Sequence, residues 1–152
     1  MAKRGTEKDH LKAAGSIISL LKAGKTVAFL TLGDPGFFST FSYISGIIAE
    51  KGYPVEMISG VPSFCAVSAR LILPLAVGEG SVLISSGEYA DFSGTQIIMK
   101  AGSRLRDLKE KVHAEGKKAY LVENCGMENE KIYSCISDMP DETGYFSTLI
   151  VK

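Results

Sequence analysis

Apolar positions recur at helical spacing over Lys8–Ala23, where Leu11, Ala14, Ile17, Ile18 and Leu21 share one face and Gly24 closes the segment. Thr26–Leu32 (TVAFLTL) is an apolar run of strand length and reads as a buried strand of a parallel sheet, broken at its carboxyl end by Gly33 and Pro35. Helical period returns over Phe38–Lys51, with Phe41, Ile44, Ile47 and Ile48 inward and Gly52 as the stop. A short strand, Pro54–Ile58, then leads through the turn Ser59-Gly60-Val61-Pro62-Ser63 into a helix, Phe64–Leu71, with Ser63 placed as its N-cap. This alternation of helix and strand predicts a parallel sheet with right-handed crossovers. In such sheets ligands bind outside the carboxyl ends of the strands. The loops Gly33–Phe37 and Ser59–Phe64 are therefore expected to form two walls of one crevice.

The character changes around Leu75–Ser86, where Gly78, Gly80 and Gly87 loosen the chain. A domain junction is expected there, dividing the chain into 1–79 and 80–152. Beyond it, Ser81–Ser85, Thr95–Lys100, Lys118–Glu123, Ile132–Ile136 and Phe146–Val151 read as strands. Ser103–Glu115 reads as a helix with Leu105, Leu108 and Val112 inward. The late strands follow one another without helices, which predicts a mixed sheet. The fold class is α/β, with two sheet domains.

Composition narrows the function more than the fold. The chain has 152 residues, enough for a real core, and its 45% apolar and 22% charged residues are ordinary for a soluble globular protein. Seventeen basic and 17 acidic side chains cancel, and no basic stripe of the kind nucleic acid demands is present. Lys and Arg gather near Arg104–Lys118, but acids interleave there, as on a solvated helix face. Cys65, Cys125 and Cys135 have no metal-ligand spacing and fit reduced thiols of a cytoplasmic protein, with Cys65 expected in the core. His10 and His113 fall on predicted surface helices, so no metal site is expected. The start MAKRGTEKDH has no apolar stretch of a signal peptide, and Leu71–Val77 is too short to span a membrane. No Ser-His-Asp, Cys-His or paired-carboxylate arrangement is visible, so no catalytic residue is assigned.

Several segments, in order, resemble the tetrapyrrole (corrin and porphyrin) methyltransferase family, whose members use S-adenosylmethionine. Leu32-Gly33-Asp34-Pro35 followed by Phe38–Ile44 is similar to the Gly-Asp-Pro segment of the precorrin-2 C20-methyltransferase branch. Val55–Ala66 resembles that branch's next signature, and so does Ala69-Arg70-Leu71 leading to Pro74-Leu75. Ile98-Met99-Lys100, Val122–Met127 and the ending Tyr145–Val151 are similar to its later segments. The resemblance runs from about Ala13 to the end. Two departures stand out: Ser59 occupies a position where the family usually has Pro, and the opening strand with its Gly-x-Gly-Pro-Gly-Asp-Pro loop is not in this sequence. The chain is thus expected to start part-way into the first domain, without much of the tetrapyrrole-facing surface.

The resemblance implies two α/β domains with a cofactor cleft between them, the first truncated. It implies methyl transfer from S-adenosylmethionine to C20 of precorrin-2 or its cobalt form in cobalamin biosynthesis, with a tetrapyrrole substrate, a homodimer, and no membrane or nucleic-acid partner. By the same resemblance Leu32, Gly33, Asp34 and Phe37 approach the cofactor, Ser63 and Phe64 line the next wall, and Met99 and Asn124 close over the adenosine. Structural roles stand beside each of these: a turn cap for Asp34, core filling for Met99, packing for Phe37 and Phe64, and helix capping for Ser63. Tyr43, Tyr89, Tyr145 and Arg70 are candidates for the tetrapyrrole side, Arg because a polycarboxylate favours bidentate contact. The alternatives are another branch of the family, acting elsewhere on the macrocycle, and a non-catalytic remnant or complementing subunit. A generic nucleotide-binding domain would need a glycine-rich phosphate loop, which the chain lacks.

Overall fold

Helix α1 (Glu7–Lys22) opens on a reciprocal cap: the Asp9 N–H donates to Thr6 Oγ1 at 3.3 Å and the Thr6 N–H to Asp9 Oδ2 at 2.8 Å. The computed structural model to which it belongs describes residues 5–152, so the part of the amino-terminal reading that rests on residues 1–4 lies outside it. Helix α2 (Phe41–Glu50) packs on α1. Ala14, Ile44 and Ile48 are buried between them, flanked by Ile17, Ile18, Leu21 and Ile47, as the spacing predicts, whereas Leu11, on the same predicted face of α1, is 53% exposed. Gly24 and Gly52, at φ +72° and +82°, end the two helices in the left-handed conformation that glycine adopts without strain. Helix α2 starts at Phe41 rather than Phe38, because Phe38 sits at φ +50° and Ser39 Oγ accepts the Phe41 N–H at 3.2 Å.

The two strands expected in this half are absent. Thr26–Leu32 and Pro54–Ile58 carry no strand, and the sheet ladders do not include them. A strand exists only where its backbone groups pair with a neighbour, and no described residue supplies one. Leu30 and Leu32 are accordingly 90% and 75% exposed, not buried.

Chain contacts divide the protein into one unit ending at Pro62 and another formed by Ser63–Lys152. The stretch around Gly78 lies inside the second unit, since helix α3 (Ser63–Leu71) belongs to its core. That unit holds a mixed sheet of β1 (Val82–Ser86), β2 (Thr95–Met99), β3 (Ala119–Glu123), β4 (Lys131–Tyr133) and β5 (Ser147–Val151), in the order β1-β2-β5-β3-β4. Only β1 and β2 pair in parallel, and the other three ladders are antiparallel.

Side-chain alternation along the strands feeds two layers. Ile98, Leu121, Leu149 and Val151 pack with Leu105, Leu108 and Val112 of helix α4 (Leu105–Ala114). The residues between them face α3: Ile97 and Met99 cluster with Phe64, and Val122 and Ile150 with Val67. Each fully buried Leu or Ile contributes about 1.5–3 kcal/mol, so continuous apolar strands are needed where both faces are covered. The edge strands β1 and β4 are more exposed.

Candidate functional site

In the unit ending at Pro62, Asp34 organises the turn that follows Leu32. Its Oδ1 accepts the Gly36 N–H at 2.7 Å, a local Asx turn, and its Oδ2 accepts the Gly60 N–H at 2.9 Å. The loops around Gly33 and Gly60 are therefore brought together, but by the carboxylate itself. A Cβ on Gly60 would collide with the Gly33 carbonyl oxygen and lie 3.1 Å from the Gly33 carbonyl carbon, so glycine is required there by close approach. Gly33 adopts φ +89°. Leu32 and Phe37 are exposed at this turn. The capping role of Asp34 is thus real, and the surface beside it is made of backbone and exposed apolar groups.

In the second unit the strand directions place the remaining candidates. β2 and β3 both run antiparallel to β5, so their carboxyl ends lie at one edge of the sheet. Thr148 pairs with Met99 on one side and Val122 on the other, which puts Met99 level with the end of β3. Both chains leave the sheet through a left-handed, non-glycine residue, Lys100 at φ +56° and Asn124 at φ +50°. Such conformations are uncommon outside glycine and concentrate at functional sites. The Asn124 N–H donates to the Phe146 carbonyl at 2.8 Å. Phe64 and Met99 share one buried cluster, so both are chiefly core residues that form the floor beneath this edge. Ser63 is exposed at the start of α3, and it is the first helical residue rather than the residue before the helix.

Each substrate-side candidate has contacts of its own. The Tyr43 ring stacks on His10 at 4.8 Å between centroids, in the first unit. Tyr89 donates its hydroxyl to Glu115 and accepts from Lys117, and burial, with the Glu115 contact, raises its pKa. Tyr145 is exposed, with Lys100 Nζ 5.2 Å from its ring centroid. The Arg70 Nε donates to Glu130 Oε1 at 2.6 Å, so its guanidinium already has an internal carboxylate. Cys65 is exposed rather than in the core, because Phe64 and Val67 take the inward face of α3. Lys100, part of the Ile98-Met99-Lys100 segment, is marked further by its backbone conformation, and Glu130 by a pairing with Arg70 that no spacing announces.

Among the described residues no three or more His, Cys, Asp and Glu side chains are grouped to hold a metal ion. No described helix is long and apolar enough to cross a membrane. Ser147, which pairs with Glu123 at the same edge, is 2% exposed, and its hydroxyl has no hydrogen-bond partner. Buried hydroxyls ordinarily have one.

A mixed α/β sheet in which the carboxyl ends of β2 and β3 share one edge is what the fold defines. The chain belongs to the tetrapyrrole (corrin/porphyrin) methylases, the family matched by residues 1–138. It is 33% identical over 137 residues to a probable cobalt-precorrin-2 C(20)-methyltransferase of Methanocaldococcus jannaschii, covering 83% of this chain and 58% of that protein. It is 28% identical to the cobalt-precorrin-2 C(20)-methyltransferase of Salmonella typhimurium, covering 100% of this chain and 70% of that protein. The chain thus spans little more than half of the first of these relatives. In fold it is similar to a cobalt precorrin-4 methyltransferase, with a TM-score of 0.78 at 15% identity, covering 99% of this chain and 72% of the other. A uroporphyrin-III C-methyl transferase of Thermus thermophilus, solved with S-adenyl homocysteine, aligns with a TM-score of 0.73 at 19% identity, over 92% of this chain and 71% of that one.

Proposed function

We propose that the chain carries the S-adenosylmethionine-binding part of a methyltransferase acting at C20 of precorrin-2 or cobalt-precorrin-2, in cobalamin biosynthesis. The observation that carries this reading is the 33% identity to the archaeal relative across most of this chain. The residues fit the cofactor. The edge offers a left-handed turn at Asn124 beside an apolar floor of Met99 and Phe64. Such a surface suits an adenosyl sulfonium better than a phosphate, which needs a cradle of backbone N–H groups. S-adenosylmethionine supplies an already activated methyl group on a sulfonium.

The protein's task is then alignment and exclusion of water rather than proton transfer. This reading assigns Met99 and Phe64 to exclude water and Asn124 to hold the nucleoside; Leu32, Gly33, Asp34, Phe37 and Ser63 are cofactor contacts by the family resemblance alone. Asp34 serves by fixing the turn whose backbone does the work. A tetrapyrrole substrate, a homodimer and a cytoplasmic location belong to the same reading.

Calorimetric titration with S-adenosylhomocysteine tests it. One-to-one micromolar binding, weakened by Asn124→Gly, is the expected result. Glycine keeps the left-handed turn and removes only the side chain. Folded protein that does not bind refutes the assignment for this chain.

One observation favours a second reading. Residues 26–32 and 54–58 lie outside any ladder, with Leu30, Leu32 and Ile58 exposed, and such surfaces are normally covered. On this reading the chain is a complementing subunit. Co-expression with an amino-terminal fragment of a relative would then restore methyl transfer that the chain alone lacks.

A further inference from the structure

The Asn124 turn is built with more support than its length requires. After β3 the chain closes twice on itself: the Met127 N–H donates to the Asn124 carbonyl at 2.9 Å, and the Glu130 N–H to the Met127 carbonyl at 3.1 Å. The Glu130 side chain then folds back, and its Oε2 accepts the Gly126 N–H at 2.7 Å. Its other oxygen accepts from Arg70 Nε at 2.6 Å, in the last turn of α3. The pair is asymmetric, since the Glu130 side chain is 13% exposed and that of Arg70 58%. The carboxylate lies inside, and the guanidinium covers it from the solvent side. Beneath it, the half-buried Cys125 joins Val67, Val122 and Ile150 in one apolar cluster.

We propose that Glu130, held by Arg70, is a positioning residue for the cofactor: it locks the Asn124–Gly126 turn to the helix that begins with Ser63 and Phe64. The inference rests on the reading of Asn124 as a cofactor contact. Its physical basis is a contrast of magnitudes. A partly exposed ion pair adds little to global stability. The Gly126 N–H, by contrast, is held by Glu130 Oε2 itself, so the carboxylate sets the turn locally. Removal of the carboxylate therefore loosens the turn far more than it loosens the fold. Glu130 need not touch the ligand, because it acts through Asn124. The second unit's two candidate elements, the start of α3 and the turn after β3, are then set by one side chain. Burial, and then the neighbouring Glu130, raise the pKa of the Cys125 thiol.

The test compares the unsubstituted chain with Glu130→Ala, Glu130→Gln, Arg70→Ala and, as a control in the same loop, Glu128→Ala. Three readouts are needed: thermal unfolding, amide exchange at Gly126 without ligand, and S-adenosylhomocysteine affinity by calorimetry. In Glu130→Ala we expect the Gly126 amide to lose protection and the affinity to fall about tenfold, a factor worth about 1.4 kcal/mol, while the β3 and β5 amides stay protected. Glu130→Gln keeps an oxygen for the Gly126 N–H and recovers part of the affinity. Arg70→Ala gives a smaller loss than Glu130→Ala, and Glu128→Ala none. Unchanged affinity in Glu130→Ala, or an equal loss in Glu128→Ala, overturns the inference alone. Absence of binding by the unsubstituted chain overturns the cofactor reading, and this inference with it.

Discussion

Gly60→Ala is the sharpest test of how the first unit is held together. The added Cβ would collide with the Gly33 carbonyl oxygen and lie 3.1 Å from its carbon and 3.5 Å from Asp34 Cα. These neighbours are backbone, so no side chain can swing aside. The two loops must separate, and separation breaks the Gly60 N–H bond to Asp34 Oδ2. Overpacking costs about 1–3 kcal/mol. A hydrogen bond to a carboxylate is worth about 1.5–3 kcal/mol, at the low end here because water can reach both groups. Against this, alanine restricts the unfolded chain and returns about 0.4–1 kcal/mol. The net loss is about 1.5–4 kcal/mol, or a fall of roughly 10–20 °C in melting temperature for a unit of this size.

Gly46→Ala is the matched control. It lies exposed within α2 with nothing within 4 Å of an added Cβ, and it should stabilise the same unit by about 0.5–1 kcal/mol. Far-UV circular dichroism on heating, with amide exchange read on peptides from α1 and α2, measures both. If Gly60→Ala leaves those peptides as protected as Gly46→Ala does, the Asp34 bridge does not hold the loops.

Three further outcomes follow from the second unit. Leu105→Ala, at a fully buried site between α4 and the sheet, should cost about 2–5 kcal/mol in urea unfolding, and a loss below 1 kcal/mol would mean that the core collapses freely around it. In timed alkylation Cys135 should react well before Cys125, because hydrogen bonds from Ser137 lower the pKa of its exposed thiol whereas burial raises that of Cys125; the reverse order would contradict these environments. The Gly126 N–H, and then Arg70, hold the Glu130 carboxyl below its ordinary pKa, so its contribution is full above the ordinary carboxylate range and disappears as pH falls through the folded value. Acid unfolding of Glu130→Gln should therefore be shallower than that of the unsubstituted chain, and an identical acid limb would show the contacts to be idle.

The helices and the late strands were readable because their apolar residues repeat with the period of the element that buries them. Ile44 and Ile48 fall on one face of α2, while Ile97 and Ile98 go to opposite faces of β2. Thr26–Leu32 defeated the same logic. A run of apolar residues specifies what a strand would bury, but strand formation is a relation between two segments, and only one of them is present in the pattern. The site divided similarly. Asp34, Met99 and Asn124 are visible as motif residues. The two-sided grip of Asp34 on Gly36 and Gly60, and the reach of Glu130 to Arg70, depend on loop geometry that leaves no periodic trace.

β5 is last in chain order, yet it takes the middle seat of the sheet, between β2 and β3. That arrangement makes the pairing of β2 and β3 with β5 the late step of assembly during synthesis, since β5 is made after both. β1 can zip to β2 and β4 to β3 as two separate ribbons while the chain is still being made. Ile97, Ile98, Leu121 and Val122 stay half-dressed until Leu149 and Ile150 arrive between them. Closure of long loops must precede that reward, which slows folding and prolongs exposure of the ribbon edges. A growing chain that stalls before Ser147 thus presents two adhesive edges at once, and its final five-residue strand is the latch that removes both.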